Sequence, residues 1–510
     1  MIFNWFYLFK IATKHYTQGM IPLLYRILII TLASVYLAGC NGDKNYSTDD
    51  DTSKDTGTGT DTDTVLPPLS LDVNKNAAPL VADGHYFRDA KGGVVMLRGV
   101  NVAGNSKVPP FTPVSDITDL EILPRLGFNT IRLLFIWEAF EPVQGEYNNE
   151  YLTYFMKVVD WADELGLYVV TDFHQDAYSR YSLDGCGEGF PGWAVTPQVK
   201  LSTPDNGEAC TLWGINMVSD ESLITIWSDF HSDAYGAKSA YLKMVETVAK
   251  SLLPYDNVIG YDLINEPWGD DDDLFTLFDQ IGRRIRKADP DAILFVPAHA
   301  LVTGGVRINN VPMIDLDNVA YSPHYYNGVV LLQGKWLKTD PAPDLNKLRA
   351  KAAIENVPMF LGEFGAPAAT ENGQGYMEAQ FDWLDRYFIS GAQWNYTPGW
   401  QKDVKDGWNM EDLSIIDDTG ALRANFVRRP YPQRISGAPI SFQTDDKGFT
   451  LYWENRKGYG ETIIHLPEGY EKNREITVTP GGKARGECTI SDNSLICNIE
   501  GDGEVRVSFQ

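Results

Sequence analysis

A chain of 510 residues is longer than one hydrophobic core ordinarily fills, so a large domain with a second, smaller one is expected. The formal charge of −26 excludes nucleic-acid binding, which needs a basic face. Acidity of this kind favours solubility and a neutral ligand, and says little more.

The first patterned segment is at the N-terminus. Arg26 precedes an uncharged apolar run from Ile27 to Gly39, too short for a relaxed membrane span and of the length of an export-signal core. It ends in Leu37-Ala38-Gly39-Cys40, which resembles the bacterial lipobox, whose Cys is lipidated and becomes the first mature residue. Residues 1–40 are therefore expected to be a lipoprotein-type signal. The stretch Met1 to Gln18 is unusual for such a signal, so Met20 is an alternative start. The mature protein is expected to be exported and lipid-anchored through Cys40 in a bacterial cell envelope, at the outer membrane or cell surface. Residues 41–70, rich in Thr, Asp and Gly, hold too few apolar side chains to bury a core and read as a disordered tether. Their acidic repeats lack the glycine-and-glutamate frame of a calcium loop.

From residue 71 to 432 the pattern alternates. Short apolar, β-rich runs ending in turn signals occur at Val95 to Asn101, Thr130 to Leu134, Tyr168 to Asp172, Ile259 to Asn265, Ala292 to Val296, Val319 to Ser322, Met359 to Glu363 and Ala392 to Tyr396. Amphipathic helical patterns lie between most of them, at Tyr151 to Leu165, Tyr241 to Leu252, Leu274 to Ala288, Leu345 to Ile354 and Met377 to Ile389. That alternation predicts an α/β fold, a (β/α)8 TIM barrel. After Pro430 the periodicity changes to short alternating segments, Phe449 to Trp453, Thr462 to Leu466, Glu475 to Thr479, Leu495 to Ile499 and Glu504 to Phe509. Residues 433–510 are thus expected to form a small all-β sandwich. It is read as a support for the barrel, with a carbohydrate-binding module as the alternative.

Two glutamates stand at the ends of predicted strands, Asn265-Glu266-Pro267 at the fourth and Gly362-Glu363-Phe364-Gly365 at the seventh. An arbitrary Glu is most often a solvated surface charge. Two acids at strand ends on the mouth of a barrel are instead the pair a glycosidase needs, one as acid/base and one as nucleophile. Other polar residues gather at the same strand ends: Arg132, His174, Asp176, Asn265, His324, Tyr326 and Trp394. Each alone is ordinarily structural, but their shared end of one barrel favours a site.

The chain has five Cys. With Cys40 as lipid carrier, four remain: Cys186 and Cys210 in one loop, Cys488 and Cys497 in the tail. Local pairing is the simplest disulfide pattern in an oxidising envelope, with unpaired buried thiols as the alternative. No His-rich spacing suggests a metal.

Val100-Asn101-Val102-Ala103-Gly104-Asn105-Ser106-Lys107, Asp172-Phe173-His174-Gln175-Asp176-Ala177-Tyr178-Ser179, Asn265-Glu266-Pro267, Ser322-Pro323-His324-Tyr325-Tyr326 and Gly362-Glu363-Phe364-Gly365 together resemble glycoside hydrolase family five, and within it the endoglycoceramidases. The resemblance spans Pro79 to Tyr431 and the tail. It implies retaining hydrolysis of the bond between oligosaccharide and ceramide in a glycosphingolipid, by a monomeric enzyme with no metal or organic cofactor. Glu363 would be the nucleophile and Glu266 the acid/base. Asn265 would bond the sugar 2-hydroxyl, Arg132 and Tyr326 would hold Glu363 ionised and oriented, and His174, Asp176 and Lys107 would hold the first sugar over a Trp394 floor. His324 would bind sugar or orient its neighbours. Two apolar stretches are candidate walls for ceramide: Val329-Val330-Leu331-Leu332 with Trp336 and Leu337, and Tyr178 to Ile224 with Trp193, Leu212, Trp213 and Met217. The alternatives are a glucanase or mannanase of the same family and, in a different class, a surface lipoprotein that only binds glycans.

Overall fold

The computed structural model describes residues 79–445, 448–470 and 475–510. The expected signal residues, Cys40 and the tether lie outside them. Twelve strands up to the end of the barrel matter here: β1 Leu80–Asp83, β2 Tyr86–Asp89, β3 Val94–Val95, β4 Arg98–Val102, β5 Thr130–Ile136, β6 Tyr168–His174, β7 Val258–Asp262, β8 Ile293–Pro297, β9 Val319–Ser322, β10 His324–Tyr325, β11 Phe360–Phe364 and β12 Ser390–Tyr396. One parallel sheet runs β10-β11-β12-β4-β5-β6-β7-β8-β9. It closes through the parallel bridge between Tyr321 and Met359, so the fold is a (β/α)8 barrel. The sixth barrel strand is split in two because Pro323, which has no N–H to give a ladder, stands between β9 and β10.

The helices Asn149–Glu164, Ala237–Leu252, Asp271–Ala288, Ala342–Glu355 and Gly373–Tyr387 surround this sheet. Their apolar faces give the main core; Asp271–Ala288, for example, buries Leu274, Leu277, Phe278, Ile281 and Ile285. Three aspartates occupy its first turn, Arg286 and Lys287 its last, and Asp270 caps it, all in the sense the helix dipole favours.

The run Val95 to Asn101 does not form one strand. Val94–Val95 pairs with the C-terminal domain and Arg98–Val102 with the barrel. The hairpin β1–β2 plugs the barrel floor: Leu80 and Phe87 pack among Val170, Ile293, Phe295 and Phe360, with Phe87 and Phe295 ring centroids 5.9 Å apart. A sandwich follows the barrel. Its larger sheet takes β1, β2 and β3 from ahead of the barrel and joins them to Tyr431–Ile435, Thr462–His465, Ser494–Glu500 and Arg485–Ser491. The smaller sheet holds Gly437–Asp445, Gly448–Asn455, Gly503–Phe509 and Ile476–Pro480. Disulfides join Cys186 to Cys210 and Cys488 to Cys497, with Cα atoms 5.4 and 4.0 Å apart.

Candidate active site

All barrel strands run the same way, so their C-terminal ends share one rim. Glu363 lies within β11 and pairs in register with His324 of β10. Gly362 makes this approach possible, because a Cβ there would come within 2.8 Å of the His324 ring. The ladder of β7 stops at Asp262, and Glu266 sits on the turn beyond it with φ of 37°. A non-glycine residue in that region carries strain of the kind that collects at functional sites. The turn is held from below, since the Gln175 amide donates to the carbonyls of Asn265 (2.6 Å) and Glu266 (3.2 Å).

The two carboxylates meet across the mouth. One oxygen of Glu266, one of Glu363 and a ring nitrogen of His324 all lie within 4.8 Å of one another. This is the close spacing of retaining glycosidases, about 5–5.5 Å, and shorter than the ~6.5–9.5 Å that leaves room for an inverting water. Their partners differ. Glu363 accepts from Arg132 Nη1 on Oε1 at 2.9 Å and from the Tyr326 hydroxyl on Oε2 at 3.0 Å. Burial drives the Tyr326 phenol well above its ordinary value, so it stays a donor. Glu266 accepts from Thr303 Oγ1 at 2.8 Å and meets His324 Nδ1 at 2.8 Å. His324 is also 3.5 Å from Glu363; burial opposes its charge, but Glu363 and Glu266 outweigh that and raise it. Its Nδ1 thus faces both carboxylates, while its Nε2 has no hydrogen-bond partner among the described residues.

Arg132 is the hub beneath. Fully buried, it donates to Glu363 and to the Asn101 and Asn265 side-chain oxygens at 2.9 Å each and to Asp262 at 3.1 Å, and forms an ion pair with Asp172 at 2.9 Å. Its Nε and both Nη atoms all donate, which fixes Asn265 and Glu363 on one rigid scaffold. Burial pushes Asp262 up to about 6 against Arg132's attraction. At Asp172 burial acts the same way, but Arg132 and His174 overcome it and hold the carboxyl below its ordinary value.

Lys107, His174, Asp176 and Trp394 form a second group beside the pair. Lys107 Nζ is 2.6 Å from Asp176 and lies over Trp394 (4.4 Å) and Trp408 (4.1 Å). The His174 ring stacks on Trp394 at 5.5 Å and 12°. Asp176 is brought down to about 2: burial, the largest influence, would raise it, but the Lys107 ammonium and His174 together outweigh burial. Asn265 joins the two groups, its amide donating to the Gln175 carbonyl at 3.1 Å and Asp176 at 3.4 Å.

Sequence reasoning missed Asn101, Asp172, Asp262, Thr303, Glu188, Glu411 and Trp408. Asp172 was legible by period, being two residues before His174 on the same face of β6. Glu188 had a signal too, an acid between Gly187 and Gly189. Thr303, which ends the short helix Ala300–Thr303, and the loop residues Glu411 and Trp408 had none. Burial pushes Glu411 up to about 7; it lies 3.8 Å from Lys107 and accepts from Trp213 Nε1 at 3.2 Å.

The apolar stretch after the sixth strand divides. It forms a short helix, Gly328–Gln333, that buries Val330, and Trp336 turns back against Tyr376. Leu331, Leu332 and Leu337 remain outside, 40%, 59% and 56% exposed. In the other stretch Trp193 and Met217 pack inward and Trp213 lies against Trp408, whereas Leu212 is exposed.

Residues 89–399 match the family model Cellulase (glycosyl hydrolase family 5), and residues 429–507 match the glycoside hydrolase family 5 C-terminal domain. An endoglycoceramidase from Cyanea nozakii is 25% identical over 80% of this chain and 89% of its own. Endoglycoceramidase I of Rhodococcus hoagii is 26% identical over 81% and 86%. The solved structure of endo-glycoceramidase II from Rhodococcus sp. with ganglioside GM3 superposes with a TM-score of 0.70 at 23% identity, covering 83% of this chain and 99% of that one.

Proposed function

The chain belongs to glycosyl hydrolase family 5, and from that premise we propose that it is a retaining endo-glycosidase that releases the intact glycan of a glycosphingolipid from ceramide. The observation that carries the reading is the Glu266–Glu363 pair within 4.8 Å, each oxygen-bonded by a different set of partners. Glu363, aimed by Arg132 and Tyr326, attacks the anomeric carbon. The anomeric C–O bond breaks, Glu266 gives its proton to the departing ceramide oxygen, and a glycosyl ester remains on Glu363. Glu266 then takes a proton from water, whose oxygen attacks the same carbon and frees Glu363, so two inversions leave the configuration unchanged. Asn265, Lys107, His174 and Asp176 hold the first sugar, and Trp394 backs it. The long full-length likeness to endoglycoceramidases and the exposed leucines on the rim support the lipid side of the reading.

Export and anchoring through Cys40 are part of the same proposal, supported by the Leu37-Ala38-Gly39-Cys40 motif, since a tethered enzyme meets substrate presented in a membrane or micelle. Incubation with a panel of glycosphingolipids, soluble β-glucan and mannan, followed by mass analysis, tests the substrate. Intact oligosaccharide together with ceramide is expected. Turnover of the polysaccharides alone would replace the reading with a glucanase or mannanase, and no turnover at all would favour a glycan-binding lipoprotein.

A further inference from the structure

Glu188 is completely buried, yet neither of its carboxylate oxygens has a hydrogen-bond partner. Such a group is costly to bury, so its position calls for a reason. The backbone around it is built to hold it there. Glu188 exchanges backbone bonds with Asp176, N to O at 2.8 Å and O to N at 3.2 Å. A Cβ at Gly187 would fall 2.3 Å from the Ser179 carbonyl, and one at Gly189, whose φ is 107°, 2.5 Å from Gln175 Cα. Two residues earlier the Cys186–Cys210 bond fastens the loop.

The carboxyl faces His174. Its Oε1 is 3.4 Å from His174 Nε2, a nitrogen that has no hydrogen-bond partner of its own, while His174 Nδ1 is 2.6 Å from Asp172. We infer that Glu188 is a positioning residue for the sugar-binding imidazole: with Asp172 it brackets His174 between two carboxyl groups, holds the ring flat against Trp394 and keeps it doubly protonated while substrate binds. This rests on the reading of His174 as a ligand of the first sugar. With Nδ1–H directed at Asp172, Nε2–H has no hydrogen-bond partner among the described residues and is the one donor left for a sugar hydroxyl, and the Glu188 carboxyl beside it favours that proton.

The other titratable and charged groups around them are Asp176 beyond the strand end, Lys107 from the 3-10 turn Gly104–Lys107 after β4, Arg132 from β5, which acts on Asp172, and the neutral Tyr151 phenol from the helix Asn149–Glu164. Burial works to lower His174, but Asp172 and Glu188 carry it up to about 10. Burial pushes Glu188 itself up to about 8, with His174 and Lys107 pulling the other way. Glu188 therefore gains negative charge as pH rises past 8, and the imidazolium is reinforced in the range where it would otherwise be lost. A divalent ion among His174, Asp176 and Glu188 is the competing use of these ligands, whose donor atoms lie within 4.8 Å of one another. The Lys107 ammonium 2.6 Å from Asp176 already supplies a positive charge there and repels a second.

Nitrogen NMR of the 15N-histidine-labelled chain tests this without substrate, with the signal assigned by its loss in His174→Asn. Both ring nitrogens of His174 should stay protonated to about pH 9 in the native protein. A neutral ring at pH 7.5 would overturn the inference with no variant involved. In Glu188→Gln, nearly isosteric, the His174 midpoint should fall by about a unit. KM for an aryl β-lactoside should rise several-fold at pH 7 and by about a further twofold at pH 9, where about half of the variant's His174 is neutral, with kcat less affected. The same factor at every pH, an unchanged KM, or activity lost to a chelator and restored by a divalent ion would each overturn it. Absence of turnover by the native enzyme on any β-glycoside would fault the glycosidase reading instead, and leaves the NMR test standing.

Discussion

Replacing Leu331, Leu332 and Leu337 with Ser should cost activity on glycolipid and almost none on a small glycoside. The exposed parts of the three side chains amount to about one and a half leucines. A fully buried leucine is worth ~2 kcal/mol, so complete cover by ceramide would contribute ~3 kcal/mol and half cover ~1.5 kcal/mol. At ~1.4 kcal/mol per tenfold, half cover predicts a loss of about tenfold in kcat/KM and complete cover somewhat over a hundredfold. Trp336 is left unchanged, because it packs against Tyr376 and its loss would disturb the fold. The assay compares kcat/KM on a micellar glycosphingolipid and on an aryl β-lactoside that has no lipid. Because the replaced surface is solvent-facing, the melting temperature should stay within a few degrees. Equal losses on both substrates, or none on either, would refute the argument and move the search for the ceramide wall to the loop around Leu212.

Other outcomes follow from the site and the fold. Glu363→Gln should lower kcat/KM by about 10⁴-fold or more on every substrate with native circular dichroism. Glu266→Gln should lose about 10²–10⁴-fold on glycolipid and recover part of it on a substrate whose leaving group needs no proton; equal, unrescued losses in both would count against the separate roles. His465 at the junction of barrel and sandwich is pushed down to about 4 by burial. The folded state keeps it neutral, whereas the unfolded chain takes a proton below ~6.5, so its cost is absent above that pH and grows as pH falls toward 4, to on the order of 3 kcal/mol. His465→Gln should flatten the fall in melting temperature over that window, and superimposable profiles would remove His465 as the cause. Cys40→Ala should release the protein from membranes or leave it unprocessed; native protein that fractionates as soluble with an uncleaved N-terminus would sink the anchor.

Much of the barrel was legible from local pattern. A buried parallel strand reads as a short apolar run, and a helix beside it as a 3.6-residue period, so Thr130–Ile136 or Asp271–Ala288 declare themselves without their neighbours. Glu266 and Glu363 were legible because both stand at the end of such a run, and a barrel puts all such ends on one rim. The strands that escaped are those whose burial comes from elsewhere. Leu80 and Phe87 look like scattered apolar residues in a polar stretch until the barrel floor supplies Phe295 and Phe360 for them to cover. Arg485–Ser491 is largely exposed and carries no alternation at all.

The sequence by itself determined which residues are the candidates for the chemistry: Glu266, Glu363, His174, Asp176 and Asn265 at or just past strand ends, and Arg132 within a strand. Only the tertiary structure decided how they are wired. That Arg132 ties Glu363 to Asp172 and Asp262, that Thr303 and His324 attend Glu266, and that Glu188 reaches His174 are contacts between segments remote in the chain. Periodicity reports which face of an element is buried, and nothing about which side chain from another strand or loop will meet it there. The wiring depends on the closure of the barrel and the path of loops such as the one holding Glu188, and both are set by packing over the whole domain.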